Sequence, residues 1–71
     1  MTIEGVLTKI SHASALSVRT ASDMYCAVCY QRAVNVVAIY RPNGDALPLC
    51  QAHFNQVEQA VQGVVAGQGG E

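Results

Sequence analysis

Two short pairs of cysteine and histidine residues constrain this chain more than any other feature of its sequence. Cys26 and Cys29 stand in the stretch CAVC, and Cys50 and His53 follow in CQAH after a spacer of 20 residues. The chain has 3 cysteines, so each of them belongs to one of these pairs. Structural zinc takes four cysteine or histidine ligands in a tetrahedron, commonly as two close pairs separated by a longer loop. The pattern predicts one structural Zn²⁺ per chain, bound by Cys26, Cys29, Cys50 and His53.

Other chemistries fit the same residues less well. A redox Cys-x-x-Cys pair usually opens a helix within a βαβ unit, and it would leave Cys50 and His53 without a role. Cysteines that only pack in a core would not be expected to fall into two such pairs with a histidine. An iron–sulfur cluster normally takes four thiolates, so the histidine favours zinc. The sequence leaves another thiophilic metal open.

A metal site could supply stability that a chain of this small size lacks. A chain of 71 residues buries only about 60% of its unfolded surface, and domains of this size often need a metal, disulfides or a partner. An odd number of cysteines argues against an exported disulfide scaffold, so we expect a reducing, cytoplasmic setting. The sequence contains no apolar run of membrane-spanning length and does not begin like a secretory signal, so no membrane association is expected.

The spacer between the two pairs has the pattern of a β-hairpin. Ala33–Arg41 is rich in β-branched residues, PNGD supplies turn residues, and Ala46–Leu49 forms a second short run that Pro48 restricts to a sheet edge. A hairpin would bring the two ligand pairs side by side. A helix is predicted next, over about Gln51 to Val65, because apolar residues recur with helical period at Phe54, Val57, Val61 and Val64.

The first part of the chain, residues 1–23, can be interpreted in two ways. The stretches GVLTKI and ALSVRTA both suit strands, and their Ser, Thr and Val content favours a second hairpin packed on the rest of the domain. Ile3, Val6, Leu7 and Ile10 also match a helical stripe, so a short N-terminal helix is the alternative. We expect a zinc-binding domain over 24–66 and a disordered tail over 67–71.

The order of a Cys-x-x-Cys knuckle, a hairpin and a helix that carries the second ligand pair resembles the treble-clef zinc finger. The resemblance extends from Tyr25 to about Val65, or 41 of the 71 residues, and implies an α+β fold with Cys26 and Cys29 in the knuckle and Cys50 and His53 at the helix start. One residue departs from the pattern. Tyr30 follows Cys29 where such knuckles have a glycine, so the knuckle turn must be made without one. Treble-clef proteins serve many functions, and the fold alone does not choose among them.

An enzyme is not expected. Four good ligands close a zinc site, whereas a catalytic zinc keeps an open position and a nearby general base. Glu58 falls on a different helix face from His53, and His12 is the only other histidine.

Protein association is the favoured function, because VNVVAIY is apolar on both faces of its strand while only 13% of the chain is charged. We expect a homo-oligomer or a complex with a larger partner. A nucleic-acid-associated zinc finger is the alternative, and it would use the three arginines and three tyrosines near the motif, namely Arg19, Arg32, Arg41, Tyr25, Tyr30 and Tyr40. The formal charge of −1 and the scattered basic residues argue against tight, non-specific phosphate binding.

Overall fold

A computed structural model describes residues 1–41 and 44–69 of the chain. The fold is α+β, with two helices and a three-stranded antiparallel sheet whose strand order follows the chain order. Its elements are α1 (Ile3–Ser11), β1 (Ala15–Thr20), β2 (Asn35–Arg41), β3 (Asp45–Leu49) and α2 (Gln51–Gly69).

The first element corrects the prediction of a second hairpin, because GVLTKI lies in helix α1 and not in a strand. The Thr2 side chain caps the helix by accepting a hydrogen bond from the Gly5 N–H at 3.0 Å. Val6 and Ile10, four residues apart, are both fully buried on one face. The cap and the helical stripe outweigh the β-branched content that favoured a strand.

The second stretch of that predicted hairpin does form a strand, but with a different neighbour. β1 pairs with β2 although 14 residues separate the two strands in the chain, and Leu16 stands opposite Ile39 while Thr20 stands opposite Asn35. The residues between the two stretches, SHAS at 11–14, form the end of α1 and a short link to β1 and not a hairpin turn. Sequence reasoning missed this pairing because contacts between distant segments leave no local signal.

The predicted hairpin between the two ligand pairs is present as β2 and β3. Asn35 stands opposite Leu49, so β2 begins and β3 ends beside Cys50, whereas Ile39 and Asp45 pair at the other end, next to the turn. Strand β3 is an edge strand, as Pro48 requires. Gly44 has a φ of 72°, a left-handed conformation that glycine adopts at little cost. Residues 42 and 43 of the predicted turn lie outside the described residues.

Both helices contribute to a single core on one face of the sheet. The inward side chains of the sheet pack with buried residues of both helices, in a cluster that includes Val6, Ile10, Leu16, Val37, Ile39, Leu47, Leu49, Val57 and Val61. The predicted apolar stripe of α2 is thus confirmed, with Phe54 and Val64 packed against the cluster. The sheet face that points away from both helices is called the outer face below.

Helix α2 begins at Gln51 as predicted and continues to Gly69, beyond the expected end near Val65. The predicted disordered tail over 67–71 falls partly on residues 70 and 71, which lie outside the described residues. Within the described part of the chain, neither helix combines the length and the apolar character needed to cross a bilayer.

Candidate metal centre

The first ligand pair lies in a tight turn that backbone hydrogen bonds close. The Cys26 N–H donates to the Gln31 carbonyl at 2.6 Å, and the Tyr30 N–H donates to the Cys26 carbonyl at 2.9 Å. The Val28 N–H donates to the Cys26 Sγ at 3.3 Å. These bonds bring the chain back on itself within a few residues, so that Cys26 and Cys29 approach the same point.

Tyr30 makes this turn in place of the glycine that the resemblance implies. Its φ is 64°, in the left-handed region that costs a side-chain-bearing residue roughly 1–2 kcal/mol. The side chain is 77% exposed, so little packing in this chain offsets that cost. The knuckle turn is therefore formed without glycine, and Tyr30 bears the conformational strain.

The second ligand pair occupies the start of α2. Cys50 directly precedes the helix, and its carbonyl accepts a hydrogen bond from the Phe54 N–H at 2.8 Å. His53 lies three residues further on, which places it on the same side of the first helical turn.

Two further hydrogen bonds hold the knuckle against the hairpin. The Ala27 N–H donates to the Pro48 carbonyl at 2.8 Å, and the Val34 N–H donates to the Leu49 carbonyl at 2.9 Å. Both acceptors lie one or two residues before Cys50. The knuckle and the residue before β2 are thus held by backbone contacts to the two residues that directly precede the second ligand pair.

The structure brings all four predicted ligand residues together. One atom from each of Cys26, Cys29, Cys50 and His53 lies within 4.8 Å of the others. His53 Nδ1 is 3.5 Å from the Cys26 Sγ and 3.2 Å from the Cys50 Sγ. The Cys29 and Cys50 sulfurs are 3.6 Å apart.

These spacings can be compared with those of a zinc tetrahedron. Zn–S bonds of about 2.3 Å and Zn–N bonds of about 2.1 Å imply ligand separations of roughly 3.6–3.8 Å. The three shortest separations, from 3.2 to 3.6 Å, therefore stand at or slightly inside the edges of such a tetrahedron, and all four ligand atoms lie within 4.8 Å of one another. The donor set of three sulfurs and one imidazole nitrogen fits zinc or another thiophilic ion.

Local backbone groups prepare Cys26 for a metal. Burial alone would raise the pKa of its thiol, but the backbone N–H groups of Cys50, Cys29 and Val28, with the His53 side chain, outweigh this effect and lower the pKa to about 6. The Gln31 backbone lowers the pKa of Cys29, but partial desolvation and the neighbouring sulfurs of Cys50 and Cys26 outweigh it, so the pKa is raised although the residue is exposed. Adjacent thiolates repel one another, and a bound cation would relieve that repulsion.

The four residues differ in their contact with solvent. Cys26 and Cys50 are buried, His53 is half-buried and Cys29 is exposed. All three cysteines are free of disulfide bonds. The centre therefore lies at the edge of the core, with its outer side formed by Cys29.

Sequence reasoning missed the groups that surround these four side chains. The N–H donors of Val28 and Cys29, and the Gln31 carbonyl that closes the turn, act through the backbone and so leave no trace in residue type. The short spacing of CAVC was the only available sign of such a turn.

The other residues considered for chemistry lie elsewhere. His12 is the C-terminal cap of α1 and is exposed, and Glu58 lies in α2, where its carboxylate accepts a hydrogen bond from Gln62. Arg19 donates to the Tyr40 hydroxyl at 3.0 Å, and the Ser17 hydroxyl is hydrogen-bonded to the same oxygen at 2.9 Å. The arginines and tyrosines are thus divided between the knuckle and the sheet. No protein-family model, curated protein or solved structure matched the chain.

Proposed function

We propose that the protein is a small, treble-clef-like structural zinc domain that serves as a protein-interaction module. The convergence of three sulfurs and one imidazole nitrogen within 4.8 Å supports the metal site. Four ligands of this kind complete a tetrahedral zinc site and leave no open position for substrate or water. The zinc is therefore proposed to hold the fold together, and the protein to act without catalysis. Thiolate ligands need reduced cysteines, which is consistent with a cytoplasmic setting.

Metal analysis and ligand variants test the zinc proposal. Protein purified without added zinc should contain about one zinc per chain, and Cys26→Ser or Cys50→Ser should lose both zinc and folded structure, because binding energy is largely folding energy in such domains. His12→Ala is a matched control, since it alters the only histidine outside the cluster. Another metal in stoichiometric amount, or serine variants that keep the zinc, would contradict the proposal.

The outer face of the sheet supports the interaction role. At its centre Ala46 is exposed and Ala38 and Pro48 are half-buried, while Val36 is already buried, and neither helix lies against this face. The Tyr40 side chain lies at its border and is 49% exposed. An apolar sheet face bordered by tyrosine and arginine has the composition of a protein interface.

A pair of lysine substitutions tests this role. Ala38→Lys places a charge at the centre of the outer face, whereas Ala66→Lys makes the same change on an exposed part of α2. When tagged copies are recovered from the native cell, a partner that binds the outer face should be lost with the first variant and kept with the second. A partner retained equally by both variants would place the interface elsewhere.

Nucleic-acid binding is the second candidate function. Arg19 and Tyr40 are neighbours at the exposed border of the outer face, and the one ion pair found among residues 1–41 and 44–69 joins Lys9 and Asp45, not an arginine. Cationic and aromatic side chains together can bind a single strand by stacking and phosphate contact. Fluorescence anisotropy with labelled single-stranded oligonucleotides would distinguish this candidate, because such binding must weaken steeply as salt is raised.

A further inference from the structure

The two edges of the sheet are protected to different degrees. On β3, Pro48 lacks an N–H, and its carbonyl accepts a hydrogen bond from the Ala27 N–H of the knuckle. Proline and covering loops are devices that prevent an edge from pairing with another strand. β1 forms the other edge and contains no proline, and the side chain of its one charged residue, Arg19, is turned to the Tyr40 hydroxyl on the outer face. Its one irregularity, between Ala15 and Leu16, lies at its start.

The backbone groups of β1 that face this edge can be identified from the hydrogen-bond pattern. The Ala21 N–H donates to the Val34 carbonyl, so alternation places the inward-facing groups of β1 on Arg19 and Ser17. The N–H and carbonyl groups of Leu16, Val18 and Thr20 point outward. Within the described part of the chain, none of the loop and turn hydrogen bonds uses these outward groups. The edge is thus a free template for another strand.

The sequence of β1 is self-complementary in one antiparallel register. With Val18 opposite Val18 of the partner subunit, Leu16 stands opposite Thr20 of the partner subunit, and all three outward-facing residues pair, with about six hydrogen bonds in total. Ser17 then stands opposite Arg19 of the partner subunit. A register centred on Arg19 would place two like charges face to face, and one centred on Ser17 would leave Thr20 unpaired.

The burial of Val18 agrees with the first register. Val18 is 39% exposed although it lies on the same face of the sheet as buried Leu16 and Val37. A second copy would cover it with an identical side chain and extend the core layer across the two-fold axis. Isologous pairing of this kind closes after two chains, so it does not lead to fibres.

We propose that two copies of this chain associate by antiparallel pairing of β1 with β1, centred on Val18, which joins their two sheets into one. The inference deepens the proposed interaction role and rests on it. The contact involves one strand from each copy and so belongs to the class of small interfaces, below about 1,200 Å² in total, that form weak complexes. The dimer should therefore dissociate on dilution.

Sedimentation velocity of the full zinc-loaded chain tests the proposal. Between about 10 µM and about 1 mM, the mass should rise from 7.5 kDa towards twice that value. Val18→Pro removes an N–H that faces the open edge and spares the hydrogen bonds to β2, so its dimer should dissociate at least tenfold more readily. Val18→Thr keeps that N–H and a β-branched side chain, and it should dimerise like the unaltered chain.

A second variant covers the case in which Val18→Pro does not fold. Val18→Lys keeps the backbone donor but places like charges across the two-fold axis, and it should also remain near 7.5 kDa. An unaltered chain that stays monomeric at every concentration would overturn the proposal. Val18→Pro and Val18→Lys variants that both dimerise as strongly as the unaltered chain would also overturn it. The same holds if the β1 edge pairs only with a strand of another protein.

The same experiment separates failure of this proposal from failure of the proposed function. Zinc content and the circular dichroism spectrum of each sample report whether the metal-dependent fold is intact. Loss of partner binding in Ala38→Lys reports on the centre of the outer face, which is formed by β2 and β3 and lies outside the β1 contact.

Discussion

At the residue scale, Tyr30 shows how one position can carry a cost that the fold requires. The turn after Cys29 needs a left-handed residue, and the chain supplies an exposed tyrosine with a φ of 64°. The turn still closes, with the Tyr30 N–H bonded to the Cys26 carbonyl. The departure from the treble-clef pattern thus affects the energy of the knuckle and leaves the convergence of the ligands unchanged.

Replacing Tyr30 with glycine should stabilise the zinc-loaded protein. Glycine removes a conformational cost of roughly 1–2 kcal/mol but loses more backbone entropy on folding, so we expect a net gain of about 1 kcal/mol. In a domain of this size the gain should raise the melting temperature by about 4–8 °C. Tyr25→Gly is the control, because Tyr25 is also exposed but is not among the positive-φ residues, and it should lower the melting temperature. Equal shifts in both variants would contradict the assignment.

The lowered pKa of Cys26 predicts how folding depends on pH. Its ordinary value is 9.0 and its value in the folded chain is about 6, so the folded state favours the thiolate. Folding thus gains stability as pH rises from about 6 to about 9 and loses it as pH falls through that range. A bound cation would strengthen the same trend, because zinc binds deprotonated sulfur.

Zinc titrations at a series of pH values measure this dependence. The free zinc concentration at which half of the chain is folded should decrease steadily between pH 6 and pH 9, once the zinc affinity of the buffer is taken into account. A half-folding concentration that is constant across this window would show that Cys26 does not bind the metal as a thiolate.

At the element scale, the segments with strong local signals were predicted best. The turn residues and Pro48 marked the β2–β3 hairpin, and the helical period marked α2. Residues 1–23 were ambiguous because their apolar residues fit both periods, and only the Thr2 cap and the core contacts of Val6 and Ile10 decide for helix α1. The pairing of β1 with β2 depends on contacts between distant residues, which local patterns do not encode.

The same substitution at two glycines, Gly63 and Gly44, tests the backbone conformation of two elements. Gly63 lies within α2, and a Cβ added there would meet no other atom within 4 Å. Gly63→Ala should therefore stabilise the protein by about 1 kcal/mol through helix propensity. Gly44 has a φ of 72°, so Gly44→Ala should destabilise by about 1 kcal/mol despite equally open space. Thermal unfolding at fixed free zinc measures both, and shifts of the same sign would contradict one of the two conformations.

At the scale of the whole molecule, the candidate metal centre is where separate parts of the fold meet. The knuckle supplies Cys26 and Cys29, and the start of α2 supplies Cys50 and His53, while hairpin hydrogen bonds hold the two together. The core of a 71-residue chain is small, and only a few side chains are fully buried. A metal at this junction would tie the knuckle, the hairpin and α2 to one another, which explains why it should be needed for folding.

The most direct test is a zinc titration of the metal-free chain at neutral pH, with far-ultraviolet circular dichroism measured after each addition. The account predicts a largely unfolded metal-free chain that gains its helical signal in proportion to added zinc and saturates at about one equivalent. A metal-free chain that already has the full signal and does not respond to zinc would contradict it.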